Sequence, residues 1–169
     1  VLFQREGVPG LKEYRAGGHH MPRILLVVDE YQQFFEGDPD SSASDVLLKL
    51  SSQGRSAGIH LLMGSQSFSV KALRNRDEIF GNIHLRIAMQ LTGDAVLGLT
   101  EFGPAGRKMI QSTCDRPGKL VINSRGGDDA GNKAGRVALL EAVDRDNIVS
   151  KLADKAKAAG IDSTPTVFN

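Results

Sequence analysis

The sequence predicts an α/β protein with a mostly parallel sheet, helices on its faces and a late antiparallel strand pair. Two observations indicate this class. The short, uninterrupted apolar run at residues 24–28 is typical of a strand buried on both faces of a parallel sheet, and residues 59–63, apolar apart from His60, predict a second buried strand. Segments with helical spacing alternate with these runs, and such alternation favours parallel strands joined by helical crossovers.

The first twenty residues carry little regular pattern. The chain begins at Val1 rather than at a methionine, and we expect residues 1–20 to be the N-terminal stub of a longer segment. Residues 11–14 suggest one helical turn, which Gly17 and Gly18 close. We therefore expect the folded core to cover residues 21–160 and residues 161–169 to form a flexible tail.

The central strand is predicted at residues 23–28, and a helix follows it. Serines at positions 41, 42 and 44 offer N-cap oxygens, and the helix runs to Gln53 before Gly54 stops it. Val46, Leu47 and Leu50 share one face of this helix. The second strand, residues 59–63, ends at Gly64-Ser65-Gln66.

The rest of the chain is predicted from shorter patterns. A helix after Ser69 carries Val70, Leu73 and Ile79. A third strand at residues 83–89 alternates polar and apolar residues, which places it nearer an edge or a polar surface. The remaining predicted elements are a helix at 94–99, a turn at 103–106, strands at 108–110 and 118–123, a loop at 124–135, a strand at 137–143 and a helix at 146–159 with Ile148, Leu152 and Ala156 inward.

The composition is that of an ordinary globular domain. Its 169 residues, 40% of them apolar and 24% charged, are enough for one domain with a core. The net charge of +1 gives no bulk argument for nucleic acid, and the single Cys114 excludes an internal disulfide. One cysteine suits a reducing compartment, so we expect a cytoplasmic location. No apolar run approaches the roughly 20 residues of a membrane helix, so any membrane tether would belong to a region preceding this chain.

Two adjacent carboxylates, Asp29 and Glu30, follow the central strand. Open α/β sheets bind ligands beyond the carboxyl ends of their strands, so both acids are expected at a binding crevice. An apolar strand followed by Asp-Glu is the Walker B pattern of ATPases, in which the Asp helps to hold Mg²⁺ and the next acid orients or deprotonates the attacking water. The alternative is a core strand that happens to end in acids.

A polar tip also follows the second strand. Gln66 lies where a neighbouring strand would present its amide to the γ-phosphate of ATP or to the attacking water; the alternative is an ordinary loop amide. His60 lies inside the same apolar strand, and we interpret it as a core histidine with its hydrogen bonds satisfied rather than as a base.

These residues resemble a known family. The run Arg23-Ile-Leu-Leu-Val-Val-Asp-Glu30 and the more specific run Gly54-Arg-Ser-Ala-Gly-Ile-His-Leu61, followed by Gln66, are similar to the signature of FtsK/SpoIIIE-type DNA translocase ATPases of the FtsK/HerA superfamily. The resemblance covers about residues 20–125. Residues 82–88 and 118–123 resemble later segments of the family. The departures are Ser56 for the usual Ala, Ser65 for the usual Thr, and Ser-Phe after Gln66 for the usual Arg-Pro.

The resemblance implies a fold, a ligand and a set of roles. It implies a partial RecA-like P-loop core that uses ATP and Mg²⁺, in which Asp29 holds the metal through water, Glu30 is the catalytic carboxylate and Gln66 is the sensor. Arg55 matches the arginine finger that reaches the ATP site of a neighbouring subunit in a ring, expected to be a hexamer. The alternative for Arg55 is a helix-end arginine that neutralises terminal carbonyls.

The resemblance also implies double-stranded DNA in the pore of the ring. Three basic residues after Gln66, namely Lys71, Arg74 and Arg76, are candidates for phosphate contacts. A solvated helix face explains the same charges. Two rival functions stay open: an ATPase like those of type VII secretion, which moves protein, and a scaffold module that does not hydrolyse ATP.

A P-loop of the form Gly-x-x-x-x-Gly-Lys-Ser/Thr is absent from the sequence. The nearest imitation, residues 126–133, has Asn132 between the glycine and the lysine, and Ala134 replaces the hydroxyl residue. We therefore interpret the chain as the C-terminal half of a motor domain whose P-loop half is its missing partner. We predict that the chain alone does not hydrolyse ATP.

Overall fold

The computed structural model describes residues 2–36, 40–66, 74–91 and 93–161. The chain divides into two compact units, Val1–Arg136 and Val137–Asn169. The sequence indicates no boundary at this position, and the predicted limits at residues 20 and 160 stay predictions. None of the described helices is long and apolar enough to cross a lipid bilayer.

The first unit contains most of the regular structure. Its elements are α1 (Leu2–Arg5), α2 (Leu11–Ala16), β1 (Ile24–Val28), α3 (Tyr31–Glu36), α4 (Ser42–Gln53), β2 (Ile59–Met63), α5 (Arg76–Gly81), β3 (Arg86–Ala88), α6 (Gly93–Leu97), α7 (Gly103–Thr113), β4 (Lys119–Asn123) and β5 (Asn132–Arg136), with 3₁₀ turns at Thr100–Phe102 and Asp129–Gly131.

The two predicted apolar strands form a parallel pair. β1 and β2 run in register from Ile24 opposite Ile59 to Val28 opposite Met63, and α3 and α4 lie in the crossover between them. The prediction that β1 is buried on both faces is wrong for the described residues, because Leu25 is 62% and Val27 57% exposed. β1 has one strand neighbour there, and burial depends on what packs over a strand as well as on its own residues.

A hydrophobic cluster covers the carboxyl ends of this pair. It contains the buried side chains of Tyr31, Phe35, Leu47, Ile79 and Phe80, and Val28, Leu61 and Met63 pack against it. The core of the first unit therefore lies directly beneath the residues that follow the strands.

Helix α4 has the predicted limits but differs in detail. Leu47 is buried as expected, whereas Val46 is 55% exposed, so the predicted apolar face is wrong at that position. The side chain of Ser41 makes no cap hydrogen bond; the carboxylate of Asp40 accepts one from the Ser42 amide at 3.2 Å instead.

A second sheet is antiparallel, with strand order β3-β4-β5. This confirms the late antiparallel pair, and the predicted strand at 118–123 corresponds to β4. The third predicted strand is shorter than expected, since β3 covers three residues. A second buried cluster packs on this sheet and includes Leu99, Phe102, Ile110 and Val121.

The predicted turn at 103–106 and strand at 108–110 are wrong, because both lie in helix α7. Pro104 occupies the first helical turn, where a missing amide hydrogen is tolerated. Gly106 and Ile110, one helical turn apart, are the residues that α7 buries.

The predicted loop at 124–135 is also wrong in its second half, where β5 begins. The fully buried Asn123 organises the connection from β4 to β5. Its amide donates to the carbonyl of Asp128 and to Asn132 Oδ1, both at 2.8 Å, and its oxygen accepts from the amides of Arg125 at 3.0 Å and Gly127 at 2.9 Å. A residue inside the strand therefore fixes a glycine-rich turn.

In the second unit, residues 137–141 have no regular structure and α8 spans Ala142–Ala158. The predicted strand at 137–143 is therefore wrong. Ile148 and Leu152 were expected to point inward, but they are 48% and 60% exposed. The first part of the predicted helix after Ser69, residues 70–73, lies outside the described residues, whereas Ile79 lies in α5. Residues 162–169 of the predicted tail also lie outside the described residues.

Candidate functional site

The segments that follow β1 and β2 remain in contact beyond the strands. The Gly64 amide donates to the carbonyl of Val28 at 2.9 Å, and the Tyr31 amide donates to the carbonyl of Gly64 at 3.1 Å. Because the strands are parallel, their polar carboxyl-terminal residues meet at one edge of the sheet. We call this edge, formed by Asp29, Glu30, Ser65 and Gln66, the acidic edge.

The Glu30 carboxylate is the centre of the acidic edge. The side-chain amide of Gln66 donates to Glu30 Oε1, and that of Gln32 donates to Glu30 Oε2. The structure therefore brings together the acid after β1 and the amide after β2, which were predicted to meet. Their chemical roles stay predictions.

The backbone at Glu30 adopts the left-handed region, with a φ of 49°. Non-glycine residues rarely adopt this conformation, and such residues concentrate at functional sites. Local hydrogen bonds support it, since the Glu30 amide donates to Asp29 Oδ1 at 3.0 Å and the Gln33 amide donates to the carbonyl of Glu30 at 2.9 Å. This turn directs the Glu30 side chain towards Gln32 and Gln66.

Gly64 allows the two segments to approach. A Cβ at this position would lie 2.9 Å from Asp29 Oδ1, which is closer than real Cβ contacts. A side chain at residue 64 would therefore push the Asp29 carboxylate away from its place beside Glu30.

The donors at the acidic edge suit a magnesium ion bound together with a nucleotide. Asp29 is exposed and presents one carboxylate, and no group of three or more His, Cys, Asp or Glu residues forms a metal cage within the described part of the chain. Mg²⁺ commonly keeps several waters and binds through one or two carboxylates plus substrate phosphates. The residues thus fit a shared nucleotide–metal site and do not fit a metal cage made by protein alone.

Arg55 lies at the other end of β2. It follows the last residue of α4 and precedes Ile59, whereas Gln66 follows Met63 at the carboxyl end of the strand. Five residues of strand span about 16 Å. The exposed Arg55 side chain therefore cannot reach the Glu30 of its own chain.

The predicted basic residues differ in their environments. Lys71 lies outside the described residues, and Arg74 is exposed. The Arg76 guanidinium forms an ion pair with Glu101, and its carbon lies 5.4 Å from the centre of the Phe80 ring. A phosphate contact by Arg76 would require this pair to open.

A buried polar cluster beneath the acidic edge was not predicted. It combines Tyr31, Arg76, Arg86 and the carboxylate of Glu101. Arg86 donates to the backbone carbonyls of Ile83 at 3.1 Å, Phe80 at 2.8 Å and Glu101, and burial lowers the pKa of its guanidinium while Glu101 opposes that shift. The alternation of polar residues at 84–90 was the available signal, but it indicated an edge strand.

Tyr31 joins this cluster to the acidic edge. Burial, with a further contribution from the negative charge of Glu101, raises the pKa of Tyr31 to about 12, whereas Arg76 and a hydrogen bond with Ser65 act in the opposite direction. The phenol is therefore neutral over the physiological range. Our interpretation of His60 as a buried core residue is wrong, because its side chain is exposed on β2.

The acidic edge also borders a concave surface. A cavity of about 490 Å³ adjoins Ser65 and Gln66, and Met89 and Gln90 also line it. Exposed polar groups beside open space leave room for a ligand at the ends of the strands.

The fold is similar to that of a solved nucleotide-bound protein. The chain superimposes with a TM-score of 0.60 on the pCW3 conjugation coupling protein TcpA, whose monomer form was solved with ATPγS, at 18% sequence identity and over 90% of this chain and 44% of that one. The chain therefore shares the α/β fold of this nucleotide-bound protein, with a parallel strand pair and an antiparallel sheet, as predicted.

Sequence comparison adds relatives from ESX secretion systems. The chain is 33% identical over 100 residues to EccC5 of ESX-5 in Mycobacterium marinum, and 30% identical over 102 residues to EccCa1 of ESX-1 in Mycobacterium tuberculosis. These alignments cover 53% and 56% of this chain but only 7% and 13% of the relatives, so the chain spans a small part of their length. No protein-family model matches the chain.

Together these similarities confirm the resemblance to FtsK/SpoIIIE-type motor ATPases. The aligned region is one segment of much longer relatives.

Proposed function

We propose that this chain supplies the Walker B edge, the sensor amide and an arginine finger to an ATP-driven ring motor. The observation that carries the proposal is the contact between Glu30 and Gln66 at the carboxyl ends of two parallel strands. An acid and an amide placed together in this way match what hydrolysis of a terminal phosphate requires.

In the proposed mechanism, Glu30 accepts a proton from the water that attacks the γ-phosphorus of ATP. Two amide donors occupy one lone pair on each carboxylate oxygen, and a carboxylate has about four such acceptor positions, so Glu30 keeps capacity to bind that water. Gln66 changes its partner from Glu30 to the γ-phosphate or the water when nucleotide binds. Asp29 would hold Mg²⁺ through water, and the ion supplies charge neutralisation on the phosphates.

The position of Arg55 supports a role between subunits. Because Arg55 lies a strand length from Glu30, it acts on the ATP of a neighbouring subunit. A guanidinium at this position stabilises the negative charge of the transferring phosphoryl group. This role requires a ring, which we propose to be a hexamer.

The P-loop comes from another segment in this proposal. The strand β1 has half-exposed faces and one strand neighbour among the described residues, which leaves surface for the P-loop half of the domain. We expect no ATP hydrolysis by the 169-residue chain alone. Turnover by the purified chain that Glu30→Gln abolishes would contradict this expectation.

The experiment that tests the motor uses the longer parent protein that carries a P-loop. Glu30→Gln should lower its ATPase rate about 100-fold or more, since a general base contributes roughly 10²–10⁴-fold. Gln33→Glu, which adds an acid to an exposed neighbouring position, should leave the rate within about twofold. Equal, measurable rates for wild type and Glu30→Gln would refute the role of Glu30, and the absence of turnover in both would favour a scaffold that does not hydrolyse ATP.

The cargo has two candidates. Double-stranded DNA follows from the resemblance to DNA translocases, with Arg74 as the exposed basic residue among the described candidates. Protein is favoured by the similarity to proteins named for ESX secretion systems. Stimulation of the parent's ATPase by double-stranded DNA supports the first, and its absence together with stimulation by a secreted protein substrate supports the second.

A further inference from the structure

A relay of two side-chain hydrogen bonds, from Ser65 through Gln32, reaches the oxygen of Glu30 that Gln66 does not bind. The Ser65 hydroxyl donates to Gln32 Oε1 at 2.5 Å, and Gln32 Nε2 donates to Glu30 Oε2. In this relay, Ser65 lies in the segment after β2 and Glu30 in the segment after β1, and Gln32 is the second residue of α3. Ser65 and Glu30 are therefore linked through the side chain of Gln32 as well as through the sheet.

The chemistry of the three groups fixes the direction of these bonds. A carboxylate only accepts, so the amide nitrogen of Gln32 must face Glu30 and the amide oxygen must face away from it. That oxygen needs a donor, and the hydroxyl of Ser65 provides one. Replacing Ser65 by alanine removes the hydroxyl donor and leaves the Gln32 amide held on one side only, by its bond to Glu30.

The backbone next to Gln32 and next to Ser65 is held in place. The Tyr31 amide donates to the carbonyl of Gly64 at 3.1 Å, and the Tyr31 side chain is buried in the hydrophobic cluster. Gln32 and Ser65 thus follow two residues that are joined by a backbone hydrogen bond. Both side chains are half-buried, whereas Gln33 is exposed.

We propose that Gln32 and Ser65 are positioning residues that orient the Glu30 carboxylate towards its reacting water. They act through Glu30 and need not touch the nucleotide. Gln66 holds Oε1 and is released when nucleotide binds, whereas the bond from Gln32 holds Oε2 throughout, so the carboxylate keeps its direction when the sensor changes partner. The catalytic role of the relay rests on the proposed function. The presence of the relay rests on its hydrogen bonds alone.

The existence of the relay is tested in the 169-residue chain by side-chain amide NMR. In wild type, the Gln32 amide should be ordered and should exchange its protons about fivefold more slowly than the exposed amides of Gln33 and Gln53, which corresponds to one net hydrogen bond. Ser65→Ala should raise the mobility of the Gln32 amide towards that of Gln33, because one of its two hydrogen bonds is lost, and Ser65→Thr, which keeps the hydroxyl, should preserve its order.

The matched control for Ser65→Ala is Ser52→Ala. Ser52 is exposed on α4, and its hydroxyl donates to the carbonyl of Leu48 at 2.8 Å. This variant should leave the Gln32 amide unchanged. A Gln32 amide that is as mobile as Gln33 in wild type, or unaffected by Ser65→Ala, would overturn the relay.

The role of the relay is tested in the P-loop-bearing parent. Ser65→Ala and Gln32→Ala should each lower kcat about 10- to 100-fold with KM for ATP within about twofold, because a misplaced reacting group slows chemistry more than binding. Ser65→Thr should restore kcat, and Gln33→Ala should match wild type. In a Glu30→Gln background, Ser65→Ala should have no further effect.

The outcomes separate this inference from the proposed function. If Glu30→Gln abolishes turnover while Ser65→Ala and Gln32→Ala behave like Gln33→Ala, the positioning role is wrong and the motor stands. If Glu30→Gln has no effect on turnover, the proposed function fails and the positioning role fails with it. The NMR result then still decides whether the hydrogen-bonded relay exists.

Discussion

The ion pair between Arg76 and Glu101 allows a prediction that the chain alone can test. The Arg76 side chain is 23% exposed and that of Glu101 only 7%, and the pair joins α5 to the 3₁₀ turn Thr100–Phe102. Glu101 Oε2 is buried and has no hydrogen-bond partner within the described residues. Arg76 is therefore the ion-pair partner of this carboxylate, and the neighbouring Arg86 guanidinium adds a further electrostatic contribution.

Arg76→Ala should destabilise the chain by about 3 kcal/mol. Removing one partner of a buried pair costs about 3–5 kcal/mol, because the other charge remains buried without compensation. The partial exposure of Arg76 places the effect at the lower end of that range. For a chain of this size, such a loss lowers Tm by about 6–12 °C.

The assay is urea unfolding of wild type, Arg76→Ala, Glu101→Gln and the double variant. The double variant should lose less than the sum of the single losses, since each single change breaks the same pair. The matched control is Arg116→Ala at the exposed Arg116–Asp115 pair, 3.5 Å apart, which should cost less than about 1 kcal/mol. An Arg76→Ala loss no greater than the control would refute the stabilising role of the buried pair.

Three further predictions concern single positions. Gly64→Ala should displace the Asp29 carboxylate and remove the protection of the Glu30 amide from hydrogen exchange; an unchanged exchange rate would contradict the close approach at 2.9 Å. Asn123→Ala should cost about 3 kcal/mol in urea unfolding, because it removes four hydrogen bonds from a fully buried side chain, whereas the exposed Ser124→Ala should cost less than about 0.5 kcal/mol; a loss below about 1 kcal/mol for Asn123→Ala would contradict its organising role. Tyr31 should ionise near pH 12 in an ultraviolet titration, compared with about 10 for an ordinary tyrosine. Because the pKa is raised in the folded state, the stability that Tyr31 contributes relative to Tyr31→Phe is present below about pH 10 and lost as the pH rises through about 12. Complete ionisation of both tyrosines by about pH 11 would contradict this.

The elements that the sequence predicts well are those whose local and tertiary preferences agree. β1 and β2 have compact apolar patterns and α4 has a helical one, each with a clear stop, and the structure confirms these three elements. The meeting of Glu30 and Gln66 follows from the same information, because parallel neighbours place their carboxyl ends together.

The errors arise where local patterns are short or where tertiary contacts decide. Met109 and Ile110 lie in a short apolar run that suits a strand and a helix equally, and the burial of Ile110 against the second cluster selects the helix. β5 has almost no apolar residues, so only its backbone pairing with β4 and the hydrogen bonds of Asn123 reveal it. Such contacts depend on which segments pair in the folded chain, and they leave no periodic signal in the sequence.

The sequence does not predict the relay or the buried polar cluster, and the reason is the same for both. Gln32 and Glu101 are ordinary polar residues in the sequence, and their partners are 33 and 25 positions away in Ser65 and Arg76. The structural role of such a polar side chain depends on its hydrogen-bond or ion-pair partner, and the pattern of a single sequence does not identify that partner. Only the signal of polar residues after each strand pointed towards Ser65.

The central claim is that Glu30 is the acid that drives ATP hydrolysis at the edge where β1 and β2 end. The most direct measurement is single-turnover ATP hydrolysis by the P-loop-bearing parent with Glu30→Gln, alongside a measurement of ATP binding. We expect ATP to bind with unchanged affinity while the hydrolysis rate falls about 100-fold or more. Hydrolysis at the wild-type rate by Glu30→Gln would contradict the claim.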